Sequence, residues 1–277
     1  MIRVQAALLV GLMSLVCINM SGAESLEHRR QVRVLLEQCG VLERLKQFPR
    51  QVFERMGYDD ESYSKQYTPV RDALFQAFDM DKMEQHLVHA MSNDLDSQAV
   101  GKALHWFQSP MGKKITDLER MTYSAHVWKE RSLYAQNLDE HPPTQHRLLQ
   151  VQQLSNALYL FRIDEQLEMT TALALTEAMN AALPREERID PDHIRHELQI
   201  RRENEKEELQ REHLASFLYL YHRLEDAEVE KYLEFLESAD GKRFTAAVLT
   251  SLNVVFQSAS EELGTAVGRA LKGERRV

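Results

Sequence analysis

At 277 residues, with 43% apolar and 28% charged residues, the chain can bury a sizeable core as one large domain or two small ones, and global disorder is excluded. Ten Gly and seven Pro are too few for the many turns of an all-β fold. The net charge of −9 argues against nucleic acid as the main partner, because neutralising phosphates needs a basic face.

The first segment reads as an address. Arg3 precedes an apolar run from Ala6 to Ile18, which is shorter than the roughly 20 residues of a membrane-spanning helix. Ser21-Gly22-Ala23 then supplies the small residues that a signal peptidase reads. The expectation is a signal peptide over 1–23, cleavage after Ala23, and export to the periplasm or beyond, with no transmembrane helix in the mature chain. Val16 stands where a lipobox needs a small residue before Cys17, so lipid attachment is not expected. Cleavage leaves Cys39 as the single thiol. That excludes an internal disulfide and makes Cys39 a small buried apolar residue in preference to a reactive one.

Beyond this the pattern is helical. Ser25 starts a helix running to about Cys39, with Gly40 as its stop. A second helix, from Val41 to about Met56, is expected to kink or split at Pro49. Tyr58 to Gln66 reads as a loop. Thr68-Pro69, Asp79, Asp96 and Ser109-Pro110 each open a further helix, the last long enough to carry Ile115, Leu118, Met121, Thr122, Ala125 and Trp128 on one side. Asp139-Glu140-His141-Pro142-Pro143 is a linker, since two prolines cannot continue a helix. It divides a first unit, 24–140, from a second, 145–277, across 141–144. Thr144 restarts a Leu-rich helix and Asp164 is expected to cap the next, which stops at Pro184. Asp190-Pro191 opens a helix reaching about Leu224. The fold class predicted is therefore all-α, with two related helical units packed together.

The relation between the units is an internal repeat. Leu95 to Thr116 and Leu224 to Thr245 align without gaps at an offset of 129, with eight identities in 22 positions. Among them are Ser109/Ser238, Gly112/Gly241 and Lys113/Lys242, followed by the conservative pair Lys114/Arg243. The period is too long for a solenoid and reads as a duplication. Ser-Pro-Met-Gly-Lys-Lys and Ser-Ala-Asp-Gly-Lys-Arg, with Leu35-Leu36-Glu37-Gln38-Cys39-Gly40 upstream, resemble an exported bacterial family known only as domain of unknown function 2059. The resemblance implies an all-helical exported protein. It implies no activity and no catalytic residues. Ala239 replaces the Pro of the first copy.

Two readings of the repeated corner compete. Free helix N–H groups beside Lys113, Lys114, Lys242 and Arg243 would suit an anion or a partner. Alternatively, Ser109 and Ser238 cap a packed helix junction in which Gly112 and Gly241 let another backbone approach. The corner is not a nucleotide-binding loop, because Phe107 and Lys114 stand where that motif needs Gly and Ser or Thr. The pairs His86/His89 and His193/His196 share helix faces but lack further indicated ligands, so no metal and no cofactor are expected. No catalytic signature is present, which points to a non-catalytic binding or interaction module whose partner is an envelope protein. The alternatives are a carrier of a lipid or other apolar ligand, lined by Met80, Met83, Met91, Leu154, Leu158 and Met169, and an enzyme or metal-binding protein of another type. Gly264 and Gly268, spaced as G-x-x-x-G, suggest a close helix contact.

Overall fold

The computed structural model describes residues 25–55, 68–121, 125–138, 140–158 and 160–274. The predicted signal peptide over 1–23, the loop from Tyr58 to Gln66 and residues 122–124 lie outside these. Among the described residues every regular element is a helix. None is long and apolar enough to cross a membrane.

Helix α1 covers 25–38 and ends at Gly40, whose φ of 77° no branched side chain adopts easily. Helix α2 (Val41–Arg55) passes through Pro49 without being split. Pro49 stands far enough into α2 to remove one backbone bond, and the packing of Leu42, Leu45 and Phe48 on the core holds the helix together across it. Helix α3 (Thr68–Ala77) leads to α4 (Met80–Asp94), which Asp79 caps by accepting from the Lys82 N–H at 3.0 Å. Helix α5 (Ser97–Gln108) is capped by Asp96 on Ala99, and α6 (Pro110–Met121) and α7 (Ala125–Asn137) complete the first half.

Thr144 caps α8 (Gln145–Leu158) through the Arg147 N–H. Helix α9 (Leu160–Ala182) begins before Asp164, so that residue is no cap. An aspartate near a helix start is compatible with the dipole, and the Leu- and Ala-rich sequence carries the helix past it. After a short 3₁₀ turn at Arg185–Glu187, the Asn180 side chain braces Ile189 by donating to its carbonyl at 2.6 Å and accepting from its N–H at 2.8 Å. Asp190 then caps α10 (Pro191–Tyr221). Helices α11 (Asp226–Glu237) and α12 (Ala239–Glu274) follow.

The apolar faces assemble two cores, and each draws on both halves of the chain. In one, Leu35, Leu36, Leu87, Met91, Val100 and Phe107 of the first half meet Leu175, Phe244, Val255, Leu263 and Val267 of the second. Helix α12 is its axis, packed against α3, α4, α5, α9 and α11. Phe48 lies between Phe78 and Phe256, with ring centroids 4.9 and 5.3 Å away. In the other core, Ile115 of α6 joins Val151, Leu154, Phe217, Tyr221, Val229 and Leu236. The Pro-Pro linker thus separates the halves in sequence but not in packing.

Cys39 is buried in the first core, its Sγ 3.5 Å from the Leu36 carbonyl. Burial pushes its thiol up to about 12. Iodoacetamide should therefore leave Cys39 unmodified in the native protein and label it fully in denaturant. Rapid native labelling, followed by mass spectrometry, would contradict this burial.

Candidate functional site

The two repeated corners have one geometry. Helix α5 ends at Gln108 and α11 at Glu237, and each is followed by a serine in extended backbone, Ser109 at φ −64°, ψ 158° and Ser238 at φ −62°, ψ 160°. Ser109 Oγ accepts from the Gly112 N–H at 3.0 Å, and Ser238 Oγ accepts from the Gly241 N–H at 3.0 Å. The following backbone N–H groups close on the same serines, Lys113 to the Ser109 carbonyl at 3.0 Å and Lys242 to the Ser238 carbonyl at 2.9 Å. The serine side chains thus take up one early helical donor at each corner, a group that an anion would otherwise use.

The glycines answer to the helix before the corner. A Cβ on Gly112 would fall on the Trp106 carbonyl and lie 2.8 Å from Phe107 Cα. A Cβ on Gly241 would meet the Phe235 carbonyl and lie 2.9 Å from Leu236 Cα. The backbone that approaches most closely is the last turn of α5 or α11, folded back at the junction.

The corners also hold each other. Trp106 and Phe235 occupy corresponding places in the repeat, and their rings stack with centroids 4.6 Å apart and planes 8° from parallel. Lys114, after the first corner, places Nζ 2.6 Å from both carboxylate oxygens of Glu228. Glu228 belongs to the capping box that Glu225 opens at the start of α11. Arg243, the counterpart of Lys114, reaches 2.9 Å to Asp96, the cap of α5. Phe107 packs on Phe244 at 5.1 Å, while Ile115 and Leu236 share the other core. Lys102 adds an ion pair to Asp240 at 3.0 Å. Each corner thus sends a cation to the start of the other unit's corner helix, across a stacked aromatic pair formed by equivalent residues.

The electrostatics follow. The Lys114 hydrogen bond holds Glu228 below the usual carboxylate range. The Ala99 N–H, then Arg243, do the same for Asp96. Of the four cations singled out by sequence, Lys114 and Arg243 are engaged by carboxylates, and Lys113 and Lys242 stand exposed.

A second convergence has no counterpart in the repeat. Glu119 of α6 accepts at Oε1 from the hydroxyls of Tyr221 and Tyr232, at 2.8 and 3.2 Å. Burial pushes its carboxyl up, while the two tyrosines and Arg44 pull it down. The net rise means that the native chain binds this proton more readily than the unfolded chain does. The contribution to stability from Glu119 is therefore present below the unfolded carboxyl pKa and lost as pH rises through the folded one. Relative to Glu119→Gln, the wild type should gain stability when denaturant melts are moved from pH 7.5 to pH 5. A difference that is flat, or that moves the other way, would contradict this assignment.

The paired histidines His86, His89, His193 and His196 are exposed on α4 and α10, and no group of three metal-ligating side chains occurs among the described residues. The six residues proposed to line an apolar cavity do not converge on one, because Met83 and Met91 lie in the first core and Leu154 in the second. One recess is an open groove of about 610 Å³ between α9 and α12. A Cβ on Gly264 there would lie 3.4 Å from the Ala174 carbonyl, whereas one on Gly268 would meet open space. A second recess, about 500 Å³, has His28, Asp96 and Arg243 in its lining. Comparison of the chain with protein-family models, with curated proteins and with solved structures finds no match.

Proposed function

We propose that this chain is an exported envelope protein, built from two copies of one helical unit, that serves as a non-catalytic binding or interaction module. Its membership of the exported family that its corners resemble is part of this proposal. The observation that carries its two-copy architecture is the reciprocity of the corners. Equivalent residues stack on each other, and equivalent cations reach equivalent helix starts. Chance convergence of two unrelated helix pairs gives no reason for such an exchange, whereas an internal two-fold relation between duplicated units requires it.

On this reading the corner is a clasp that fixes the two units as one frame. Its conserved chemistry between copies serves packing, and the surfaces that meet a partner lie elsewhere. The split of the Met and Leu residues between two cores speaks against an apolar ligand held between the units. The test is purification of the exported protein from the envelope under native conditions, followed by mass spectrometry of intact complexes. The expected result is a chain beginning at Glu24 in stoichiometric association with a protein or small molecule. Retention of Met1, a stoichiometric metal ion, or the chain alone would contradict the proposal.

A further inference from the structure

We infer that the groove between α9 and α12 binds a small amphipathic cation, an assignment that rests on the reading of the chain as a binding module. The groove exists because α9 and α12 run against each other at Ala174 and Gly264, where small residues bring the backbones together and leave the flanking side chains to form walls. Leu173, Ala178 and Phe256 give it an apolar lining. At about 610 Å³ it has the size of a small-molecule site.

Its charge selects the occupant. Among the described residues, the charged side chains in the lining are Glu177 of α9 and Glu261 of α12, with no Lys or Arg. Glu177 is bound by Arg195 of α10 at 2.7 Å. Among the described residues no cation pairs with Glu261, which accepts from Gln257 Nε2 at 3.3 Å. Ser260, also in the lining, is 1% exposed, and its hydroxyl has no hydrogen-bond partner. An alkylammonium satisfies all three features. Its chain covers Leu173, Ala178 and Phe256, and its N–H donors meet the Glu261 carboxylate and the Ser260 hydroxyl, which accepts. A fatty acid of the same length brings its carboxylate against two glutamates.

The test is calorimetric titration of the full mature chain with decylammonium, decanoate and decanol below their aggregation limits. Decylammonium should bind at one saturable site, weaken as salt rises, and lose about tenfold in affinity in Glu261→Gln, the loss of one charge-assisted hydrogen bond. Glu261 is exposed, so this variant should melt as the wild type does. Lys113→Gln, at the distant corner, should bind unchanged. Equal binding of decanoate and decylammonium, no saturable binding, or full affinity in Glu261→Gln would overturn the assignment. Envelope purification of wild type and Glu261→Gln separates the two levels. A partner that accompanies both proteins while decylammonium fails removes the groove and leaves the binding module standing. The chain recovered alone from both, with no decylammonium bound, removes both.

Discussion

Replacing Gly112 with alanine should destabilise the protein by about 3 kcal/mol or more, a large effect for one methyl group. The added Cβ would fall on the Trp106 carbonyl and close to Phe107 Cα, and both are backbone atoms of the turn that the corner folds against. A flexible side chain can rotate away from such a contact, but a helix end held by Ser109 and by the Trp106–Phe235 stack cannot. Gly241→Ala should behave alike, for the same reason on the Phe235 carbonyl. Gly101 supplies the control. It lies within α5, and nothing stands within 4 Å of where its Cβ would be. There alanine should stabilise by about 0.5–1 kcal/mol, through helix propensity alone. Urea denaturation of the three variants checks the ranking, and similar values for Gly101→Ala and Gly112→Ala would mean that the corner is not tightly folded.

Leu263→Ala should cost about 2–5 kcal/mol, the range for truncating a fully buried leucine. Leu263 is 0% exposed and belongs to α12, yet the core around it is largely built by α1 to α5. The loss should therefore be felt by the first half of the chain as well as the second. A thermal melt followed by the fluorescence of Trp106 and Trp128, both in the first half, and by far-ultraviolet circular dichroism should shift as one transition. Two separated transitions, with the first-half signal unmoved, would show that the halves carry independent cores.

Local punctuation made much of this fold readable. Asp79, Asp96, Thr144 and Asp190 act as caps because a short acceptor side chain before an apolar run satisfies a helical N–H wherever that run packs. Helix ends at Gln108 and Glu237 followed from Ser and Gly at fixed spacing. The errors came where tertiary packing outweighs local preference. Pro49 left α2 unsplit and Asp164 sits inside α9. The route of α12 through the core of the first half has no local signal, because apolar periodicity states that a face is buried and not what buries it.

The same limit applies to the site. The corner residues stood out as a repeat, but their mutual contacts span more than a hundred residues. Lys114 and Glu228, and Arg243 and Asp96, read as separate solvated charges of opposite sign until the fold brings them together. Glu119 had a weaker signal that sequence reasoning passed over. It continues the buried stripe of Gly112, Ile115 and Thr116 along α6, and a carboxylate on that register needs donors from another element. Tyr221 and Tyr232 supply them. The Arg147 guanidinium, which donates to the Leu224 carbonyl at 2.6 Å and pairs with Asp226 at 2.7 Å, had no such marker.

The two corners clasp each other across the stacked rings of Trp106 and Phe235, and a double-mutant cycle on these two residues measures that clasp. Trp106→Leu, Phe235→Leu and the double variant keep the site apolar while removing the stack. The stacked geometry predicts a coupling of about 0.5–1.5 kcal/mol in equilibrium unfolding, so that the double variant loses less than the two single losses combined. Additive losses, with no coupling between the two rings, would contradict it.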